Sequence, residues 1–398
     1  MSRITQDDRL AANSPGDGLS TSAGNRVSAI PSVEILATSP GLVPMGCNPA
    51  EDAPVVDGAD LVADEPAPAM DAPDDVVSWQ VAMKRAIRSS AQLRQALDLP
   101  VADSPGGESD FPTFVPLEFL RRMRPGDPSD PLLMQVMPVA AEDDVDRPGF
   151  SSDPVGDMQA LVAGGLLHKY GGRALVVTTG ACGVHCRYCF RRQFPYSGAG
   201  SQKDNYRPAI EYLKTATRVD EVILSGGDPL TLTDANVDAL ISQIESIPHV
   251  QRIRFHTRMP VVIPQRVTDG LVDRLRQSRL TPWFVIHANH PAEIDSAVIA
   301  ATDKLINAGI PVLNQAVLLR GVNDNVETLA ELCTRLVDHR ISPYYLHQLD
   351  RVIGAAHFEV PESTGRDLVD QLTKRLPGYA VPTYVVEQAG EASKTRLS

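Results

Sequence analysis

The chain has 398 residues, 43% of them hydrophobic, and 37 Lys and Arg against 50 Asp and Glu give a formal net charge of −13. That length holds two average domains or one large barrel, and no apolar run approaches the roughly 18–20 residues that cross a bilayer. Residues 1–75 carry 13 of the acids and only 3 arginines, so the rest is close to neutral and offers no basic surface for nucleic acid.

Taken in chain order, residues 1–75 are rich in Ala, Pro, Asp, Gly and Ser and contain no aromatic residue. Such a segment buries too little apolar surface to offset its ordering entropy, and it reads as a disordered acidic tail. Its first 30 residues lack a basic start followed by an apolar block, so no secretory signal is expected. A helical N-terminal region is expected over 76–165, beginning where Ser78 can cap a helix that carries Trp79 and Met83 on one side. A Pro-rich connector, "PTFVPLEFLRRMRPGDPSDPLL", follows.

From about residue 173 short apolar runs recur: 174–179, 221–226, 252–257, 283–288, 311–319 and 343–348. Amphipathic stretches at 205–216, 233–246, 266–278, 293–309 and 325–340 lie between them. Strands alternating with helices imply βαβ units and a parallel sheet. Six units without a Gly-rich nucleotide turn after the first strand point to an α/β fold built as a partial, open (β/α)6 barrel over 166–360. Residues 361–398 form a C-terminal segment. In barrels the chemistry sits where strands end, and Cys182, Asp228, His256, His287, Gln315 and Asp350 fall at or just beyond such ends.

Three of the five cysteines, Cys182, Cys186 and Cys189, share the stretch "GACGVHCRYCFRR" with spacing C-x3-C-x2-C. Cys47 and Cys333 are scattered, so a disulfide framework is a poor reading and a reducing cytoplasm fits better. A structural zinc site usually shows a second pair of Cys or His further on, and none follows. A [4Fe–4S] cube held by three thiolates leaves one iron open to a chelating molecule; a degenerate zinc or redox site is the alternative. The spacing resembles that of the radical S-adenosylmethionine (SAM) superfamily, where SAM fills the open iron and the partial barrel is the usual fold. In that light Tyr188 stands where an aromatic residue lies against SAM. "SGGDPL" likewise resembles the motif whose backbone receives the SAM ammonium, with Gly226 and Gly227 allowing close approach and Asp228 accepting hydrogen bonds.

The segments "GLLHKYGGRALVV", "CRYCFRRQFPY", "SGGDPL", "RMPVVIPQRVT", "NQAVLLRGVND", "PYYLHQLD", "GAAHF", "PTYVV" and "SKT" resemble the lysine 2,3-aminomutases, in order from about Trp79 onward. "FRRQFPY", "GAAHF" and "SKT" look most like the branch that makes (R)-β-lysine for elongation factor P. The resemblance implies three cofactors: the [4Fe–4S] cluster, SAM and pyridoxal 5′-phosphate (PLP). Moving an amino group from carbon 2 to carbon 3 of lysine requires removing hydrogen from an unactivated carbon, which no side-chain base achieves and a SAM-derived radical does.

Residue by residue, the resemblance makes Lys394 the PLP lysine and Tyr170, Arg173 and Lys169 the phosphate contacts. Lys169 stands where the lysine enzymes proper have arginine, keeping the charge and losing the planar fork. Arg191 matches the clamp for the substrate carboxylate, and Gln315 a SAM contact. Asp350 matches one of two acids for the distal ammonium. Glu387 takes the place of the second, an aspartate in those enzymes. An acidic pocket argues against glutamate as substrate. Asn325 occupies the position of a cysteine that, in the clostridial-type enzymes, joins C-terminal cysteines of a neighbouring subunit on a structural zinc. The sequence ends soon after Lys394 without those cysteines, and that zinc and its tetramer are not part of the expectation. The expectation is a cytoplasmic isomerase, a homo-oligomer with no nucleic-acid or membrane partner, that converts L-lysine to β-lysine. Its electron donor would be of the flavodoxin or ferredoxin kind, and its product would pass to an elongation factor P ligase. Alternatives are β-lysine for osmolyte or catabolic use, an arginine 2,3-aminomutase, or a non-catalytic metal-binding protein, which would need neither Lys394 nor the acid pair.

Overall fold

The computed structural model describes residues 77–100, 106–108, 111–196 and 204–398, so the expected acidic tail lies outside the described residues. Ten strands make one sheet whose spatial order follows the chain: β1 (Leu161–Ala163), β2 (Leu166–Tyr170), β3 (Arg173–Val177), β4 (Glu221–Ser225), β5 (Arg252–Thr257), β6 (Thr281–Ile286), β7 (Val312–Val317), β8 (Ser342–His347), β9 (Thr383–Val386) and β10 (Thr395–Arg396). β3 to β9 run parallel, while the hairpins β1–β2–β3 and β9–β10 at either edge are antiparallel. No pairing joins the two edges among the described residues, so the barrel is open.

Against six expected strands, seven parallel ones form. β9 escapes sequence reading because "TYVV" has four residues and follows a strongly charged helix. Among the described residues four short helices precede the sheet: α1 (Trp79–Lys84), α2 (Ser90–Ala96), α3 (Leu117–Leu120) and α4 (Pro131–Met134). Between the parallel strands lie α5 (Arg207–Thr215), α6 (Asp234–Glu245), α7 (Met259–Val262), α8 (Asp269–Arg276), α9 (Ser296–Asn307), α10 (Val326–Asp338) and α11 (Glu362–Arg375). Their starts follow from local chemistry. Ser78 caps α1, as its sequence suggests, and the side chains of Thr233, Thr268, Asp295 and Asn325 cap α6, α8, α9 and α10. Asn325 is therefore a helix cap, accepting from Thr328 N at 2.9 Å.

The Pro-rich connector is more than a linker. It contains α3 and α4, and Leu117, Phe119, Leu120, Leu132 and Leu133 join the same apolar core as the barrel strands. Inside the barrel the strands alternate: on β5, Ile253 and Phe255 are fully buried against the helices, while Arg252, Arg254 and His256 face inward and are half-buried. β7 does the same with Leu313, Gln315 and Val317. The lumen is thus lined by polar and aromatic side chains around a cavity instead of being packed shut.

Candidate active site

The cavity has a volume of about 590 Å³, and every one of the fifteen residues singled out by sequence lines it: Cys182, Cys186, Cys189, Tyr188, Gly226, Gly227, Asp228, Gln315, Lys169, Tyr170, Arg173, Arg191, Asp350, Glu387 and Lys394.

The cysteine loop leaves β3 and is clamped from behind. Arg187, with no exposed surface, forks onto Glu142 and donates to Phe111 O at 2.6 Å and Gly107 O at 2.7 Å. Arg192 reaches the same Glu142 at 2.8 Å, so one buried carboxylate holds both arginines that flank Cys189. Burial pushes the Cys182 thiol well up and that of Cys189 up to about 11, and neighbouring thiolates add to both shifts. Three mutually repelling thiolates in a buried loop require a strongly cationic partner to ionise together. Among the described residues no three His, Cys, Asp or Glu side chains converge on a single ion. A cube of four irons fits such a trio, because each thiolate takes a different iron. Arg258 Nη1 lies 2.8 Å from Cys186 Sγ and supplies a nearby positive charge.

The "SGGDPL" turn packs directly against the cysteine loop. Gly226 has φ +126°, and a Cβ there would stand 2.6 Å from Thr179 O; a Cβ on Gly227 would stand 2.2 Å from Ala181 O. The close approach these glycines permit is to the cysteine loop, fixed by Gly227 N to Thr179 O and Asp228 N to Ala181 O, both 2.7 Å. The Asp228 carboxylate accepts from Leu230 N, Thr257 Oγ1, Arg258 N and Met259 N at 2.7–3.2 Å. With its acceptor sites filled by protein it locks the ends of β4 and β5 together. Tyr188 is held by Asn289 Nδ2 at 2.7 Å and edge-on against Phe358.

On the opposite wall, β2 and the β9–β10 hairpin bring Lys169, Glu387 and Lys394 together with Asp157, from the turn before β1, and Arg191, from the cysteine loop, five charged groups in all. Asp157 takes Lys169 Nζ on Oδ1 and Arg191 Nε on Oδ2, both at 2.6 Å. Glu387 takes Lys169 on Oε1 at 3.0 Å and Lys394 on Oε2 at 2.6 Å. Buried between two lysines, its carboxyl is held far below the usual carboxylate range although burial alone would raise it. The antiparallel pairing of Thr395 with Val386 sets Lys394 opposite Glu387. Asp350, beyond the end of β8, differs: burial raises its carboxyl to about 7, and Oδ1 has no hydrogen-bond partner. A buried carboxylate oxygen aimed into a cavity without a donor suits an incoming ammonium.

The fit to PLP is uneven. Lys394 lies in the cavity, and the Arg173 guanidinium stacks 4.1 Å over the Tyr170 ring with no hydrogen bond to the described residues, leaving its five donors for an anion. Lys169 does not fit the phosphate role, because Asp157, Glu387 and Val155 O take all its donors. Asp157 lies in no motif; Arg258, in "RMPVVIPQRVT", and His347, in "PYYLHQLD", lie in quoted segments but the sequence assigned them no role. His256 and His347 are pushed well down by burial and His287 to about 4, so all three imidazoles are neutral at pH 7.

The fold and this cavity have the character of a radical SAM enzyme, and residues 176–333 match the model of the radical SAM superfamily. Among curated proteins the chain is 47% identical over 287 residues to L-lysine 2,3-aminomutase of Escherichia coli K12, covering 72% of this chain and 83% of that protein. It is 42% identical over 321 residues to L-lysine 2,3-aminomutase of Haemophilus influenzae, covering 80% and 95%. With L-lysine 2,3-aminomutase of Clostridium subterminale it shares 35% identity over 326 residues, covering 80% and 77%. The chain belongs to the lysine 2,3-aminomutase family. Among the described residues no helix is long and apolar enough to cross a membrane.

Proposed function

We propose that the protein transfers the α-amino group of L-lysine to carbon 3, giving β-lysine. The observation that carries this reading is Asp350: a half-buried residue whose Oδ1 is buried without a partner, in the same cavity as Arg191, Lys394 and the cysteine trio. A bound [4Fe–4S] cluster, SAM and PLP supply the hydrogen removal and the nitrogen migration, chemistry that no side chain here performs. The chain's own residues do the rest. Cys182, Cys186 and Cys189 hold the cluster, and Tyr188 and Gln315 border the SAM side. Arg191, oriented by Asp157, takes the substrate carboxylate as a charge-assisted pair. Asp350 and Glu387 take the distal ammonium, and Arg173 with Tyr170 anchors the phosphate. Enclosure in the lumen keeps reactive species away from bulk water. Neutral His256, His287 and His347 add hydrogen-bonding capacity without positive charge that would repel the ammonium.

Within this reading the product is the (R) enantiomer, delivered to a ligase acting on elongation factor P, and a flavodoxin or ferredoxin supplies the electron; "FRRQFPY", "GAAHF" and "SKT" support that branch. The test is chiral product analysis with lysine, arginine and glutamate, using protein reconstituted and reduced without oxygen. (R)-β-lysine from lysine alone is the expected result. Turnover of arginine in preference to lysine, or of none of the three, sinks the assignment.

A further inference from the structure

An ammonium group has three N–H donors and no more. Lys169 Nζ spends all three on protein: Val155 O at 2.8 Å, Asp157 Oδ1 at 2.6 Å and Glu387 Oε1 at 3.0 Å. An anion reaching Lys169 has to break one of these contacts. Asp157 is nearly inaccessible and also orients Arg191, and Glu387 also carries Lys394. Two carboxylates already hold this lysine, and a phosphate brought beside them meets their like charge. Arg173, four residues on and across the Gly171–Gly172 turn, has its guanidinium free of hydrogen bonds to the described residues.

Resting on the reading of the chain as a PLP-using lysine aminomutase, we propose that Lys169 is a positioning residue for the distal-ammonium pocket and not a phosphate ligand. By pinning Glu387 Oε1 it fixes which carboxylate oxygen, Oε2, faces the substrate. In the ligand-free chain that oxygen holds the Lys394 ammonium at 2.6 Å. When the Lys394 nitrogen is committed to PLP, Oε2 is released into the cavity that Asp350 also lines, close enough that the Glu387 charge raises the Asp350 carboxyl, and the two carboxylates suit one ammonium of the substrate. Lys394 thereby keeps the place of the substrate's distal amine. The residues at 169 and 387, both departures from the lysine enzymes proper, are partners: a shorter cation meets a longer anion.

The experiment uses the full chain with its cluster reconstituted and reads binding, not turnover. Visible absorbance titrations compare PLP with pyridoxal, which lacks the phosphate. Calorimetry on PLP-loaded protein compares L-lysine with norleucine, which lacks the distal amine. Arg173→Gln is expected to remove most of the preference for PLP, a loss of about tenfold or more, the size of one charge-assisted hydrogen bond. Lys169→Gln is expected to keep that preference while the discrimination of lysine over norleucine falls about tenfold. Glu387→Gln should reproduce the Lys169→Gln pattern, which keeps the inference testable should the lysine variant fail to fold. If Lys169→Gln instead erases the preference for PLP over pyridoxal, or if Glu387→Gln leaves lysine discrimination intact, the inference is overturned. Failure of the broader reading looks different: the wild-type chain then shows no preference for PLP, and Lys394→Ala leaves the visible absorbance of bound PLP unchanged.

Discussion

The two walls of the cavity are finished to different degrees. On the cluster side nearly every polar atom has a protein partner. Asp228 takes four donors, Arg258 Nη2 is shared between Gln135 Oε1 at 2.7 Å and Glu293 Oε2 at 2.9 Å, and Glu293 Oε1 caps Asn289 N and His290 N. Across the lumen, Nε2 of His256, His287 and His347, Nε1 of Trp283, Oε1 of Gln315 and Oδ1 of Asp350 are buried with no partner. Each such atom costs about 1–3 kcal/mol if left unmet. Folding alone therefore completes the frame that aims the cysteines, whereas ligands complete the lumen wall. Changes to the first wall should act on stability and cluster assembly; changes to the second should act on binding and on the pH dependence of the ligand-free chain.

The largest effect comes from the thiolates. Replacing any one of Cys182, Cys186 or Cys189 with Ala removes a cluster ligand, and iron content and turnover should both fall to background after anaerobic reconstitution. A normal cluster absorbance in all three variants contradicts the assignment. Next in size is Asp228→Ala. It strands Thr257 Oγ1 and three backbone N–H groups in a buried site and should cost about 3–5 kcal/mol, seen as a lower denaturation midpoint with incomplete cluster loading. If the variant is as stable as wild type and loses only SAM affinity, then the carboxylate faces SAM after all and the contrast between the walls is wrong.

How far the sequence reached follows the same division. The alternation of apolar runs and amphipathic stretches located β3 to β8 and α5, α6, α8, α9 and α10, because hydrophobic period is a local property. Local pattern could not locate β9, whose place is set by the pairing of Thr383, Tyr384 and Val385 with Tyr345, Leu346 and His347 of β8. Nor could it turn "PTFVPLEFLRR" from connector into core, since the burial of Leu117 and Phe119 comes from packing beneath the barrel. Site residues carried by spacing or motif, the cysteines and Lys394, were legible, and the structure gathers them into one cavity. Their partners were not. Nothing in the sequence distinguishes Asp157 from other acids, and only the hairpin brings it between Lys169 and Arg191. The same blindness applies to Asp228 and Lys169: residue type gives the charge, but saturation of hydrogen-bonding capacity by protein partners is visible only in three dimensions.

The smallest effect, and the sharpest test of the unfinished wall, is the pH dependence of Asp350→Asn. Asp350 sits at about 7 in the folded chain because burial outweighs the attraction of Lys394, and at the ordinary value of 3.8 when unfolded. Between those values the folded state holds a proton that the unfolded state has released. Stability from this group is therefore full below about pH 4 and is lost as pH rises to about 7, the reverse of an ion-paired carboxylate such as Glu387. By that linkage the loss is on the order of 2–4 kcal/mol. An asparagine has no proton to lose, so the ligand-free variant should melt at nearly the wild-type temperature below about pH 4 and above it at pH 8. A distal ammonium in the cavity stabilises the ionised form, so saturating lysine should shrink the pH 8 difference in PLP-loaded protein. Norleucine should leave it unchanged. Equal melting temperatures for variant and wild type at both pH values, without ligand, mean that Asp350 is already paired, and the lumen wall is then no less complete than the cluster side.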